Sequence, residues 1–285
     1  MPQENWREAA RQCGFEAAGV CDFAPFAGRL LPCRAARRLP ENARRILTVL
    51  FPYQFAEDRC AEVRCADTGK RNLSRYACVE NYHKVGGVVL ERLAEELRRR
   101  FPGHAFEPFM DNSPIPEVEA AVRSGLGVRG DNGLLIHPDF GSWVFIGTVV
   151  TDAPLPFKEP GGPRECSHCG QCAAHCPGGC LPGGERSGCL SAITQKKGGL
   201  TPDEAAAVRR GGLAWGCDAC QEACPLNQGV RIAPHPCFTQ YRPRLREEDL
   251  DDLRDAAYGW RGRDVPLRNL RLLQEDGKEK STGRR

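Results

Sequence analysis

The residues best suited to chemistry in this chain are cysteines, which number 16 among 285 residues. Many of them fall in two short runs of regular spacing. The first run, CSHCGQCAAHCP, supplies Cys166, Cys169, Cys172 and Cys176 and ends at Pro177. The second run, CDACQEACP, supplies Cys217, Cys220 and Cys224 and ends at Pro225. Thiolates spaced by two or three residues can converge on one metal centre, so the two runs predict a metal-binding module.

The spacing favours two [4Fe–4S] clusters over zinc. In a C-x2-C-x2-C-x3-C-P run, three thiolates bind one cubane and the fourth reaches a second cluster. By this crossover, the first cluster takes Cys166, Cys169, Cys172 and Cys224. The second takes Cys176, Cys217 and Cys220, and its fourth ligand is either Cys180 or Cys189. Zinc, the alternative, favours two pairs such as C-x2-C, which seven cysteines in two C-x3-C-P runs fit poorly.

Bulk composition limits the class of protein. The hydrophobic fraction of 41% is enough for a core, and a net charge of +3 does not by itself indicate a nucleic-acid partner. The N-terminus, MPQENWREAA, has no apolar signal region and no run is long enough to span a membrane, so we expect a cytoplasmic protein. A reducing cytosol leaves thiols available for metals. The remaining cysteines are expected to be small buried residues: Cys13, Cys21, Cys33, Cys60, Cys65, Cys78 and Cys237.

The pattern of apolar residues and breakers predicts three regions, 1–157, 158–236 and 237–285. The first is predicted to mix helices and strands, including a buried strand over 45–53. Its clearest helix covers 80–100, where Val85, Val88, Val89, Leu93 and Leu97 repeat at helical spacing. A Pro- and Gly-rich segment then leads into the cysteine module.

Two further expectations concern the end of the first region and the end of the chain. LLIHP and SWVFIGTVV are predicted to pair as strands around a turn at 139–141. The last region is predicted to hold an acidic helix over 246–260, a short apolar piece and a disordered tail over 276–285.

Residues 110–152 resemble the corrinoid domain of epoxyqueuosine reductases. The positions that fall on the family pattern are Asp111, Pro114, Glu117, Ala121, residues 125–127, Gly130, Asn132, Gly141, Ser142 and Gly147. RYACVENYHKV, CLSAITQKKG and AYGWRGRDVPLRNLRLL resemble other stretches of that family. The chain departs from the pattern at Val79, Asn81 and Asp131, where the family commonly has Gly, Asp and Lys. We expect a short form, because 237–285 is too short for the family's C-terminal helical-repeat domain.

The resemblance implies an enzyme that reduces epoxyqueuosine to queuosine in tRNA, using cobalamin and two [4Fe–4S] clusters. It implies the α+β class, with a nitroreductase-like corrinoid-binding domain followed by a ferredoxin-like double [4Fe–4S] module. It also favours Cys189 over Cys180 as the fourth ligand of the second cluster. The residues expected at the corrinoid are Asp111, Asn132, Gly141, Ser142, Ser191 and Thr194.

Asp111 is the candidate proton donor to the epoxide oxygen, because it follows the apolar strand FEPFM and precedes a turn at the expected edge of the corrinoid pocket. Burial beside the corrinoid is expected to raise its pKa. Glu117 and Glu119 are expected to be structural, since acidic residues are favoured at a helix start. His83 is more simply explained as structural than as a corrinoid contact.

The expected partners are tRNA and a low-potential electron donor such as ferredoxin or flavodoxin, and the expected state is a monomer outside the membrane. The arginine-rich stretch 34–45 is explained by solvated helix faces or, alternatively, by a surface for tRNA phosphates. Two other functions remain open. One is a corrinoid iron–sulfur reductase of a different small substrate, similar to reductive dehalogenases; the other is a ferredoxin-type electron carrier.

Overall fold

The computed structural model describes residues 5–56, 71–157, 166–183 and 186–282, with backbone only from 275 onward. The chain forms two compact units that interleave along the sequence. Unit 1 comprises Met1–Tyr53, Tyr82–Ser167 and Gly229–Cys237, and unit 2 comprises Gln54–Asn81, His168–Gln228 and Phe238–Arg285. The contiguous regions expected from the sequence, 1–157, 158–236 and 237–285, stay a prediction. Cys60 and Cys65 lie outside the described residues.

Unit 1 is built on an antiparallel sheet of four strands in the order β1-β2-β6-β3. These strands are β1 Ala18–Asp22, β2 Arg45–Pro52, β3 Phe106–Met110 and β6 Val144–Thr151. A separate two-stranded pair joins β4 Val128–Arg129 to β5 Leu135–Ile136. The helices are α1 Asn5–Gln12, α2 Tyr82–Arg100 and α3 Glu117–Arg123.

Helices cover both faces of this sheet. The register places Gly19 and Thr48 on one face. On that face the hydroxyl of Ser124, which follows α3, donates to the Thr48 hydroxyl at 3.2 Å. Gly147 belongs to the opposite face, where Leu90 of α2 packs against it. Seven of the eight β2 residues are buried as a result. The buried face of α2 differs in part from the one that the apolar spacing predicts. Val88 is 72% exposed, and Leu90 is buried instead.

Unit 2 consists of short helices and loops around the cysteines. Its helices are α4 Gln171–Ala174, α5 Leu190–Thr194, α6 Pro202–Gly211, α7 Ala219–Glu222 and α8 Asp264–Thr282. Leu190, Ile193 and Val208 form a small core between α5 and α6. Asn269 of α8 is fully buried, and its amide donates to the carbonyls of Thr194 and Ala214, each at 2.8 Å. These two bonds fix α8 against the end of α5.

The expected strand pair around residues 139–141 is wrong. The turn exists, since His137 and Gly141 form two backbone hydrogen bonds. However, β5 pairs with β4, whereas β6 pairs with β2 and β3. β2 pairs with one edge of β6 over its full length, and β3 pairs with the other edge from Gly147 to Thr151, so most of β6 cannot pair with β5.

The expected acidic helix over 246–260 is also wrong. The structure has only short 3-10 segments there, Glu248–Asp251 and Gly259–Arg261. Like charges one turn apart repel in a helix, and the Asp249 and Asp252 carboxylates bond nearby backbone N–H groups instead. Helix α8 continues to Thr282, so the prediction of disorder fails for 276–282. No helix within the described residues is both long and apolar enough to cross a membrane.

The close approach of α3 to β1 gives a test of this packing. A Cβ at Gly19 would lie 2.2 Å from the Ser124 carbonyl oxygen, whereas one at Gly28 would meet nothing within 4 Å. We predict that Gly19→Ala destabilises the protein by about 1–3 kcal/mol because the backbone of α3 must shift. Urea denaturation measures the change, with Gly28→Ala as the matched control. Equal stability of both variants would contradict this packing.

Candidate functional site

Asp111 begins a strained turn directly after β3. Asp111 and Asn112 have φ values of 51° and 35°, a left-handed conformation that is uncommon for residues other than glycine. The Tyr82 hydroxyl donates to Asp111 Oδ2 at 2.7 Å, and His83 Nε2 lies 3.6 Å from the same oxygen. The position after the strand is confirmed. Burial by protein atoms is not found, because 54% of the Asp111 side chain is exposed.

The buried carboxyl at this place belongs to Glu117, at the start of α3. Its Oε1 is buried and has no hydrogen-bond partner among the described residues. The carboxyl also accepts the backbone N–H of Asp111. Burial first, and the negative charge of Asp111 second, raise the pKa of Glu117 well above its usual value. Glu117 is therefore more than the helix-start residue expected from the sequence.

One end of the sheet brings several expected site residues together. Met110 pairs with Gly147, so the antiparallel register directs Asp111 toward the start of β6. Ser142, which is 4% exposed, lies two residues before that strand, and Gly141 precedes it in the turn with φ 60°. The first three residues of β6 are half-buried, and the ring of Phe145 stacks on that of Tyr82 at 4.0 Å. An apolar, partly open strand start thus lies beside the Asp111 carboxylate.

Asn132 lies in the separate β4–β5 hairpin rather than at a sheet strand. Its side-chain Oδ1 accepts the N–H of Leu134 at 3.1 Å and fixes the hairpin loop. The family's Lys position next to it is Asp131 here. The loop conformation is thus set by Asn132 itself.

Ser191 and Thr194, expected at the corrinoid from the cluster side, differ in the structure. Thr194 is fully buried, and its hydroxyl donates to the Ser191 carbonyl and accepts the N–H of Gly216, each at 2.9 Å. Contact between its hydroxyl and a cofactor would require loss of these bonds. Ser191 is half-buried, and its hydroxyl accepts from Gln195 at 3.3 Å. Ser191 is therefore a better candidate than Thr194 for a contact with the corrinoid.

The cysteines of unit 2 approach one another closely. Burial, followed by the neighbouring thiols Cys217, Cys189 and Cys176, raises the pKa of Cys220 to about 12. Burial is also the main cause that raises the pKa of Cys217 to about 11. Several thiolates cannot accumulate in one place without a compensating positive charge, which the iron of a cluster supplies. The thiols expected at the second cluster therefore suit that cofactor.

Cys180 belongs to the same group of thiols. Its Sγ lies 3.4 Å from Cys176 Sγ, and it also bonds the Cys189 thiol. Cys180 thus contacts both Cys176 and Cys189, so both candidates for the fourth ligand belong to one group of thiols. Of the cysteines expected at the first cluster, Cys172 and Cys224 are buried and Cys169 is exposed. Cys166 is half-buried and belongs to unit 1.

The loop that carries Cys217 and Cys220 is held by a buried ion pair. Asp218 is 2% exposed, and its carboxylate accepts hydrogen bonds from the Arg71 guanidinium and from the N–H of Arg75. Such a pair orients its segment, and removal of one partner leaves a costly buried charge. Arg71 thus helps to position the second cysteine run.

Sequence reasoning missed Arg71, Tyr82 and the chemistry of Glu117. RYACVENYHKV was identified as a family stretch, but nothing in its spacing showed that Tyr82 bonds Asp111. Glu117 has the ordinary sequence context of a helix start, and its burial arises only from tertiary packing. Cys13, Cys21 and Cys78 are buried as expected, whereas Cys33 and Cys237 are half-buried.

Comparison with known proteins places this arrangement in a family. The profile "Epoxyqueuosine reductase QueG, DUF1730" matches residues 34–112, and "4Fe-4S double cluster binding domain" matches residues 165–227. The epoxyqueuosine reductase of Gloeobacter violaceus is 31% identical over 234 residues, which cover 79% of this chain and 71% of the relative. The chain belongs to the epoxyqueuosine reductase family. The enzyme of Vibrio cholerae is 29% identical over 271 residues, which cover 86% of this chain and 72% of the relative.

A solved epoxyqueuosine reductase has the same fold as this family member. That structure, described as containing an epoxyqueuosine-modified tRNA stem loop, has a TM-score of 0.78 at 22% identity. The match covers 98% of this chain and 82% of the solved chain. The mixed helix and strand fold and the 4Fe-4S double-cluster domain are therefore confirmed. The nitroreductase-like corrinoid description stays a prediction.

The two candidate ligands of the second cluster can be distinguished by iron content. We predict that Cys189→Ala loses about half of the iron and sulfide bound after anaerobic reconstitution, since one of two equal clusters is lost. Cys180→Ala is expected to retain both clusters, as is the control Cys33→Ala in unit 1. Loss of iron in Cys180→Ala with retention in Cys189→Ala would assign the ligand to Cys180 instead.

Proposed function

We propose that this chain is an oxidoreductase that converts epoxyqueuosine to queuosine in tRNA. The observation that carries the proposal is membership of the epoxyqueuosine reductase family, with the family's Asp present as Asp111 in a strained, partly open site. Electrons would pass through two [4Fe–4S] clusters. The first cluster would be held by Cys166, Cys169, Cys172 and Cys224, and the second by Cys176, Cys189, Cys217 and Cys220.

Cobalamin is the further cofactor of the proposal. Gly141, Ser142 and the half-buried start of β6 offer a small-residue turn and an apolar strand edge for a planar ring. Asn132 fixes the loop of the β4–β5 hairpin. When bound, cobalamin supplies a strongly reducing and nucleophilic cobalt centre for epoxide opening. Corrinoid binding in a nitroreductase-like domain is part of this proposal.

Asp111 would give a proton to the oxygen released from the epoxide. The Tyr82 hydroxyl holds one carboxyl oxygen at 2.7 Å and so restricts the orientation of the group. The exposed remainder of the side chain is free to meet a substrate that arrives from solvent. Protonation of a leaving oxygen by a positioned carboxylic acid is general-acid catalysis.

The proposed partners are tRNA and a low-potential electron donor such as ferredoxin or flavodoxin. A similar solved protein is described with an epoxyqueuosine-modified tRNA stem loop, which supports tRNA as the substrate. In the arginine-rich stretch, Arg34, Arg37 and Arg38 are all exposed, but Arg38 already bonds the Glu107 carboxylate and the Pro108 carbonyl. Phosphate contact is therefore proposed for Arg34 and Arg37 first. A monomeric, cytoplasmic enzyme completes the proposal.

Anaerobic turnover tests the proposed reaction. The protein is reconstituted with iron, sulfide and cobalamin, reduced by a one-electron donor and given tRNA that bears epoxyqueuosine. We predict loss of one oxygen from the modified nucleoside by mass spectrometry, and a decrease in rate of about 100-fold or more for Asp111→Asn. Asp203→Asn, an exposed carboxylate on α6, is the control.

The other outcomes identify the alternatives. Wild-type protein that binds and reduces cobalamin but leaves the nucleoside unchanged would indicate a different substrate. Protein that binds clusters but no corrinoid would indicate an electron carrier. A full rate in Asp111→Asn would remove Asp111 as the proton donor while leaving the reaction intact.

A further inference from the structure

The proposed reaction consumes two protons, and a single carboxyl such as Asp111 can deliver only one before it must be reprotonated. Conversion of an epoxide to an alkene breaks both C–O bonds, forms a C=C bond and releases the oxygen as water. Two electrons and two protons balance the step, and the electrons come from the reductant of the proposed function. After it gives its proton, Asp111 must be reprotonated or a second acid must act. This inference rests on the proposed function.

Glu117 is placed to meet this need. Its carboxyl accepts the backbone N–H of Asp111, and its Oε1 is buried without a partner among the described residues. Burial raises the pKa of Glu117, and Asp111 raises it further once Asp111 is ionised. The neutral carboxylic acid is therefore favoured, and in that form it carries a transferable proton.

We propose that Glu117 is a proton-relay residue that supplies the second proton of the reaction through Asp111. It acts through Asp111 and does not itself touch the substrate. Ionised Asp111 would increase the negative charge beside Glu117, and proton transfer to Asp111 would leave that charge on Glu117. Reprotonation of Glu117 from solvent would then complete the cycle.

The other groups around the pair have different roles. Tyr82 donates to Asp111 Oδ2 and orients it, and His83 lies 3.6 Å from that oxygen. His83 is therefore a competing proton source, which the kinetic test must separate from Glu117. On α3, Glu119 instead pairs with Arg29 and Arg123, which lower its pKa through hydrogen bonds. Glu119 therefore offers a matched carboxyl that lacks the relay geometry.

The kinetic test compares Glu117→Gln with Glu119→Gln in the reconstituted enzyme. Glutamine keeps the acceptor for the Asp111 N–H but has no acidic proton. We expect kcat of Glu117→Gln to fall about 10-fold or more, while Glu119→Gln stays within about 2-fold of wild type. The wild-type rate should fall as pH rises through the Glu117 pKa, because the protonated form is required, and Glu117→Gln should lack this limb. An unchanged rate and pH profile, or loss of the limb in His83→Gln instead, would overturn the proposal.

A second readout does not depend on turnover. Infrared difference spectra of wild type minus Glu117→Gln, recorded near neutral pH in H2O and D2O, should show the C=O stretch of a protonated carboxylic acid. The control difference, wild type minus Glu119→Gln, should show only ionised carboxylate. Ionised carboxylate at Glu117 would overturn the relay even if the enzyme turns over. A protonated Glu117 in a protein that leaves epoxyqueuosine unchanged would place the failure in the proposed substrate.

Discussion

The pairing of β2 with β6 is the interaction on which unit 1 depends. These inner strands pair over their full length, from Arg45 with Thr151 to Pro52 with Val144. These two strands form the centre of the sheet, and α2 and α3 pack on its opposite faces. β3 pairs with β6 at a fixed register. That register decides where β3 ends and hence where Asp111 lies. The same packing brings the N-terminus of α3, and with it Glu117, to the Asp111 turn.

Charge is the corresponding constraint in unit 2. Burial and the neighbouring thiols raise the pKa of Cys220, so ionisation of this group of thiols is favoured by a bound positive charge such as iron. The protein contributes short helices and a buried ion pair at Asp218 that keep the cysteines in place. Unit 1, by contrast, is organised by an apolar core without such a cluster of thiols among its described residues.

What could be predicted from the sequence was mainly what depends on local spacing. The cysteine runs identified a double-cluster module, and continuous apolar residues located β2 and β3. Strand partners could not be predicted in this way, because the pairing of β6 with β2 joins residues distant in the chain. The same holds for Glu117, whose role arises from neighbours that its own segment does not contain. The predicted helix over 246–260 is wrong for another reason. Helical propensity competes there with charge repulsion and with side-chain bonds to the backbone.

The return of Gly229–Cys237 to unit 1 has a consequence for biosynthesis. In this segment, His235 packs between Phe15 and Phe51, and its N–H bonds the Pro52 carbonyl at 2.8 Å. A ribosome must therefore synthesise both cysteine runs before it supplies the last piece of the first unit. Unit 1 is therefore complete only after the thiols that would bind the clusters have been synthesised. Closure of the sheet domain thus depends on a segment that follows the cluster ligands in the chain.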